Sequence, residues 1–349
     1  MRKGRPLQWS LRAGYTLIEM LVVIAITAIL IAMMLPAVQQ SRETARRSRC
    51  EHNLQQLGVA LHAYHGTHGR LPAGCINPVG PIRLEPQGYH HSWVVGLLPY
   101  LDEQVVADRI DPGLSIYHES QLPARQTLLT QLVCPADNIP ASSSTELGSV
   151  GTSSYAGVHH HRSGAIDLNN SGTLYMNSSV AFDDIADGTA YVFLLGEVRR
   201  SRDNFGWASG THGTLRNTGQ PINALARKAR QERWDAEARD AAAWEAENYG
   251  FGGVDYGGID YGAVDDGGGY AESTIGDEGE PVIPGTIVQP PSPAVAEAFA
   301  HDPGGFGSHH TGGCHMLLAD GRVKFCSESI NRNVYQRMAH RADQVRVEP

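Results

Sequence analysis

The sequence predicts an α+β protein in which one long N-terminal helix, membrane-spanning in its first half, is laid on an antiparallel β-sheet with long loops. Three observations predict it. An uncharged apolar run extends from Met20 to Val38. Beyond it Leu54, Leu57, Leu61 and Tyr64 recur at spacings of three, four and three, which is one stripe of an α-helix. From Leu71 to about Arg216, short apolar runs then alternate with turn residues, as strands joined by loops do.

Composition bounds the rest. At 349 residues the chain has room for two average domains or one elaborated one. The formal net charge of −9 argues against a general nucleic-acid surface. The 39 glycines and 7% aromatic residues point to many turns and some poorly packed sequence. Cys50, Cys75, Cys134, Cys314 and Cys326 are an odd set, so at least one thiol is unpaired within a monomer. Their pairing is not readable from spacing, and a chain of this length needs no disulfide framework to fold.

Residues 1–14 carry Arg2, Lys3, Arg5 and Arg12 and no acid, the pattern of a cytoplasmic leader. The apolar run that follows has 19 residues, about 28 Å as a helix, close to the hydrocarbon thickness of a bilayer. Thr27 is its only polar side chain, and Pro36 stands near its end. Arg42, Arg46, Arg47 and Arg49 lie just beyond, so the flanking basic residues tie at four each. An N-inside orientation rests on the short leader, with the second arginine cluster facing lipid headgroups. Residues 15–38 are thus expected to span the membrane and residues 39–66 to continue the same helix onto a body, with Gly66, Gly69 and Pro72 ending it. His62, His65 and His68 are expected to be solvated.

Glu19 is the anomaly, because an ionised side chain inside a spanning segment costs about 2.5–3.5 kcal/mol on the lenient insertion scale. Cleavage after Gly14 would create an α-amino cation at Tyr15, four residues from that carboxylate. Stacked helices of neighbouring copies could then pair amine with acid, and a paired buried charge is tolerable where a lone one is not. A plain signal anchor with Glu19 at the interface is the alternative.

In the body, residues 67–216, Ser92 to Leu101 reads as a buried segment stopped by Pro99, with an acidic helix start at Asp102-Glu103. Tyr191 to Leu195 is the strongest strand candidate, closed by Gly196-Glu197. His159-His160-His161 tempts as a metal site, but no His-Glu-x-x-His or paired Cys-x-x-Cys supports it, and an exposed polar loop is expected. Residues 217–300 form an insertion. It has a charged helix over Ile222–Asn248, then pentads ending in Asp-Tyr or Asp-Asp, and finally a proline-rich return. Disorder is the default for such a stretch. A calcium site at Asp255, Asp260 and Asp265 is the sharper idea, though a period of five matches neither a nonapeptide roll nor an EF-hand loop. No metal ligand and no cofactor is otherwise assigned.

Residues 301–349 hold a hairpin: Cys314 to Ala319, Asp320-Gly321, then Arg322 to Cys326. A two-residue turn sets Met316 against Phe325 and Leu318 against Val323, and points Cys314 inward and Cys326 outward. That register disfavours a disulfide between the two cysteines, and a three-residue bulged turn reverses this.

The stretch Gly14-Tyr15-Thr16-Leu17-Ile18-Glu19 with its apolar run resembles the cleavage and methylation signal of type IV prepilins and type II secretion pseudopilins. The resemblance implies a pilin-like fold, cleavage after Gly14 by a prepilin peptidase/methyltransferase and N-methylation of Tyr15, where phenylalanine is commoner. It also implies an assembly role for Glu19 and a helix kink at Pro36. His310 and Asp320-Gly321, nine residues apart, resemble a C-terminal His-x9-Asp-Gly domain found on prepilin-processed proteins. Asn53 to Gly58, Leu61 to His65, Leu97 to Leu101, Cys134-Pro135, Asp187 to Thr189 and Gly196-Glu197 look like the same family. No catalytic residues come with it, and His310 and Asp320 are expected to be loop and turn residues fixing the hairpin. The implied partners are the peptidase, other pilin-like subunits and inner-membrane lipid, with a single-pass topology and a periplasmic or extracellular body. The expected function is a structural subunit of a pilus or pseudopilus; the alternative is a membrane-tethered periplasmic protein binding a solute or polymer. With no Gly-x-Ser-x-Gly, no His-Glu-x-x-His and no phosphate loop, an enzyme is not expected.

Overall fold

Helix α1 (Leu17–His68) is continuous for 52 residues, about 78 Å at the usual helical rise. The computed structural model describes residues 17–137, 140–145, 148–200, 204–224, 227, 231 and 304–343. Gly14, Tyr15 and the rest of the leader, the pentads with Asp255, Asp260 and Asp265, and all but the first residues of the charged helix fall outside them. α1 ends two residues past the expected limit of 66, at the second of the expected stop residues. Gly66 stays helical, and the helix closes at Gly69, whose φ of +68° is open to glycine and whose N–H donates to the His65 carbonyl at 2.8 Å.

Two short strands, β1 (Cys75–Ile76) and β2 (His91–Ser92), pair antiparallel and lead into α2 (Trp93–Leu97). Pro99 does mark the end of the α-helix, which closes at Leu97. It opens a 3₁₀ turn, Leu98–Leu101, where its missing N–H costs nothing. α3 (Gln104–Ala107) follows the acidic start at Asp102-Glu103, and α4 (Leu122–Arg125) precedes a β3 (Ser142–Thr145), β4 (Gly148–Gly151) ribbon.

The central sheet comprises β5 (Tyr155–His160), β6 (Phe193–Glu197), β7 (Leu215–Asn217), β8 (Gly313–Leu318) and β9 (Val323–Ser327), in the order β7-β5-β6-β8-β9. Four strands run antiparallel as expected. β7 pairs parallel to β5, so the sheet is mixed rather than antiparallel. β6 starts two residues later than the apolar run and absorbs Gly196 and Glu197 into the strand, where both are buried.

Alternation along β5 and β8 gives each face its own core, and the register irregularity in β6 between Phe193 and Leu195 sends Leu194 and Leu195 to the same one. Tyr155, Leu194, Leu195 and Leu317 join the α1 stripe of Leu54, Leu57 and Leu61, together with Trp93 and Trp207. Ala156, Val158, Phe193, Cys314, Met316 and Leu318 face the other way, onto Tyr335 of α5 (Arg332–Arg337) and onto Met338. The expected pairing of the hairpin is off by one residue. Leu317 opposes Val323, Met316 opposes Lys324, His315 opposes Phe325, and Cys314 opposes Cys326. Gly321 sits at φ +87° and the Leu318 N–H meets the Arg322 carbonyl, so three residues form the turn, as in a bulged hairpin. Both cysteines are therefore buried on one face, as free thiols.

Gly58 sets the approach of α1 to the sheet. A Cβ there would lie 3.0 Å from Leu317 Cδ1. We expect Gly58→Leu to lower stability by about 1–3 kcal/mol through overpacking, read as a lower midpoint in chemical denaturation of the full-length protein.

Candidate functional site at the root of the helix

The two halves of α1 live in different surroundings. Every large apolar side chain from Leu17 to Leu35, and Val38, is exposed, and none of the most apolar stretch is covered by the other described residues. The helix is long and apolar enough there to cross a membrane. Thr27 needs no partner outside the helix, because its hydroxyl donates to the carbonyls of Val23 and Ile24. Pro36 lies inside the helix and leaves the Ala32 carbonyl without its usual donor. Glu19 stands in the first turn, near the positive end of the helix dipole.

Contact with the body begins at Glu43. Its Oε1 lies 2.9 Å from His310 Nδ1, and the opposite ring nitrogen, Nε2, lies 3.4 Å from Glu197 Oε1. The other Glu197 oxygen accepts from the His315 backbone N–H at 2.7 Å and faces His315 Nδ1 at 3.2 Å. About two turns further along α1, Cys50 forms a disulfide with Cys134, and Cys134 Sγ is 3.6 Å from His310 Nε2. Arg47 lies over the Phe325 ring at 3.6 Å, Tyr155 donates to the Cys50 carbonyl, and Asn53 donates to the Val133 carbonyl. Arg47 is thus half-buried on the hairpin rather than free for lipid headgroups; Arg42, Arg46 and Arg49 remain exposed.

This root is a buried polar knot. His310, Glu197, Cys50 and Cys134 are all nearly solvent-free. Burial opposes protonation of His310, but bonds to Glu197 and Glu43 outweigh it and raise the imidazole above its ordinary range. Burial likewise opposes ionisation of Glu197, and its bonds to His310 and His315 hold it below the ordinary carboxylate range. A neighbouring pair anchors the Cys134 loop: Asp137 accepts from Arg200 Nε at 2.8 Å, and His309 Nε2 lies 3.2 Å from its other oxygen. Burial again works against this carboxylate, and His309 and Arg200 overcome it and depress it.

The sequence-predicted residues therefore divide. His310 does not fix the hairpin turn; it joins the helix to β6. Asp320 and Gly321 do make the turn, Asp320 accepting from the backbone and Nε of Arg322. The expected exposed loop at His159-His160-His161 is corrected: His159 is fully buried in β5, with Asn170 Oδ1 at 3.1 Å, and His160 and His161 both meet Ser171 Oγ. His62 and His68 are exposed, as expected, and His65 is half-buried; His62 stacks on Phe182, His65 meets the same ring at a tilt, and His68 stacks on Tyr64. Glu43, Glu197 and the Cys50–Cys134 bond escaped sequence reasoning. The only local hint was an acid, Glu197, directly closing an apolar strand.

Asp137 gives a pH test. A depressed carboxyl contributes stability above its ordinary value of 3.8 and loses it as pH falls through the lower folded value. We expect Asp137→Asn to cost about 3 kcal/mol near neutral pH, as a buried pair that loses one partner does. That difference from the parent should close in acid, read from denaturation midpoints across pH.

Comparison with known proteins places these features. The prokaryotic N-terminal methylation motif matches residues 9–35. Competence protein ComGC of Halalkalibacterium halodurans is 39% identical over 61 residues, 18% of this chain and 60% of the relative, so the alignment leaves over a third of that relative uncovered. No solved structure matches. Residues 39–333, from the root of the helix through the C-terminal hairpin, match the family SBP_bac_10, described as a protein of unknown function (DUF1559). With a prepilin-type methylation motif on its apolar helix and that family's body behind it, the chain belongs to the DUF1559 family.

Proposed function

We propose that the protein is a pilin-like structural subunit. Its leader is cut after Gly14 on the cytoplasmic side by a prepilin peptidase, and Tyr15 is methylated as the new N-terminus. The precursor sits in the inner membrane as a single-pass protein with its body on the periplasmic or extracellular side. It is then drawn into a pilus or a type II secretion-type pseudopilus. Pro36 supplies a kink that lets neighbouring helices pass.

One observation carries this reading: among the described residues, nothing covers the apolar half of α1. Each large side chain along it gains about 1.5–3 kcal/mol on leaving water, so the segment must sit in lipid or against other copies. The methylation motif and the similarity to a competence protein point to the second destination after the first. Within a filament Glu19 would meet the Tyr15 amine of the next subunit, neutralising the one charge in the rod and setting its register.

Cross-linking of the full-length protein in membranes should give a ladder of oligomers. Glu19→Ala should be processed normally but lose the ladder, and unimpaired assembly of that variant would contradict the pairing. Gly14→Ala should accumulate as the longer precursor on an immunoblot. A parent protein that cross-links only as a monomer would instead favour a membrane-tethered binding protein.

A further inference from the structure

The root of the helix holds a ligand set as well as a clamp. One donor atom each from Cys50, Cys134, Glu197 and His310 lies within 4.8 Å of all the others, and all four residues are buried. Tetrahedral zinc, with bonds of about 2.0–2.3 Å to N, O and S, needs its ligand atoms about 3.3–3.8 Å apart. Three of the contacts already approach that spacing: His310 Nε2 to Cys134 Sγ at 3.6 Å, His310 Nε2 to Glu197 Oε1 at 3.4 Å, and Cys134 Sγ to Glu197 Oε1 at 4.0 Å. The two sulfurs, bonded to each other, must part, and Cys50 Sγ, within 4.8 Å of the other ligand atoms, must settle at the same spacing.

The surroundings of the ligands point the same way. A metal-binding imidazole usually donates its other N–H to a carboxylate, and His310 turns Nδ1 to Glu43 at 2.9 Å while Nε2 faces the cluster. A ligating carboxylate is usually held through its second oxygen, and Glu197 Oε2 is held by the His315 N–H while Oε1 faces the cluster. The four ligands come from α1, the loop after the Thr130–Leu132 turn, β6 and the segment before β8, so a bound ion would tie together the elements that meet there.

We propose that, with the Cys50–Cys134 bond reduced, these four residues form a closed structural site for zinc or a similar divalent transition metal, so that the helix is stapled to the body by either a disulfide or a metal. A dithiol supplies the two electrons and two protons that cleave the S–S bond, becoming a disulfide itself and leaving two thiols. The incoming cation then displaces both thiol protons, and the proton that His310 Nε2 shares with Glu197, to solvent and takes two thiolates, one carboxylate and one neutral imidazole. Four protein ligands leave no open position, which is the pattern of a structural rather than a catalytic site.

The test uses full-length protein in detergent with cobalt(II) as the probe. After reduction with a phosphine, which does not compete as a thiol would, equilibrium dialysis should give one cobalt per chain. Absorption should show the strong visible bands of tetrahedral cobalt and a thiolate charge-transfer band. The oxidised protein should bind none. Cys134→Ser and His310→Ala should abolish the bands, whereas Cys326→Ser should keep them, assigning the thiolates to this site. If near-ultraviolet circular dichroism shows His310→Ala to be unfolded, Glu43→Gln stands in, with affinity lowered about 10–100-fold. The proposal is overturned if the reduced parent takes up no cobalt, if the oxidised form binds equally, if the charge-transfer band survives in Cys134→Ser, or if Glu43→Gln binds as tightly as the parent.

Discussion

A single uninterrupted helix here has to satisfy two incompatible surroundings, and the rest of the molecule follows from that constraint. Residues 20–38 present apolar side chains almost all round, and no other described part of the chain covers them. Residues from Cys50 onward present one apolar stripe to a sheet. Because the backbone ladder runs through both halves, the orientation of the rod is set wherever the second half is gripped. The grip starts at Glu43, only five residues past the last apolar side chain of the rod.

That grip is made of polar groups, and the reason is geometric. At Glu43 and Arg47 the helix is leaving the sheet, so there is too little surface for an apolar stripe to hold it. Charged and hydrogen-bonded contacts act at a point, and each charge at the root has its counterpart: Glu43 and Glu197 on His310, Asp137 on Arg200. The Cys50–Cys134 link adds a covalent tie across 84 residues of sequence. In the chain-entropy picture a loop of that length is worth about 4–5 kcal/mol. Further down, where α1 lies flat on the sheet, Leu54, Leu57 and Leu61 take over and Gly58 lets the helix come close to Leu317.

What could be read in the sequence was whatever depends on neighbours in the chain. The stripe at 54, 57, 61 and 64 is a local period, and it located the packed half of α1. The Asp320-Gly321 dipeptide located the hairpin, but it suits both a two-residue and a three-residue turn. The choice fell to the backbone at Gly321, and one residue of register moved Cys326 to the face of Cys314. β7 was missed because Leu215-Arg216-Asn217 carries no strand pattern, and its side chains are buried by pairing beside β5 rather than by alternation. The root of the helix was invisible for a different reason. Its residues stand at 43, 50, 134, 197 and 310, and a buried charge is admissible only once its partner is known, which no window of sequence contains.

On this reading α1 is a rod meant to be shared, gripped at one end and left bare at the other for lipid and then for its own kind. The most direct test is the intact mass of the N-terminal peptide of protein purified from its native membrane. The expected result is a chain beginning at Tyr15 with a methylated α-amine. A native protein that still begins at Met1 would contradict the reading, leaving the bare rod as a permanent anchor.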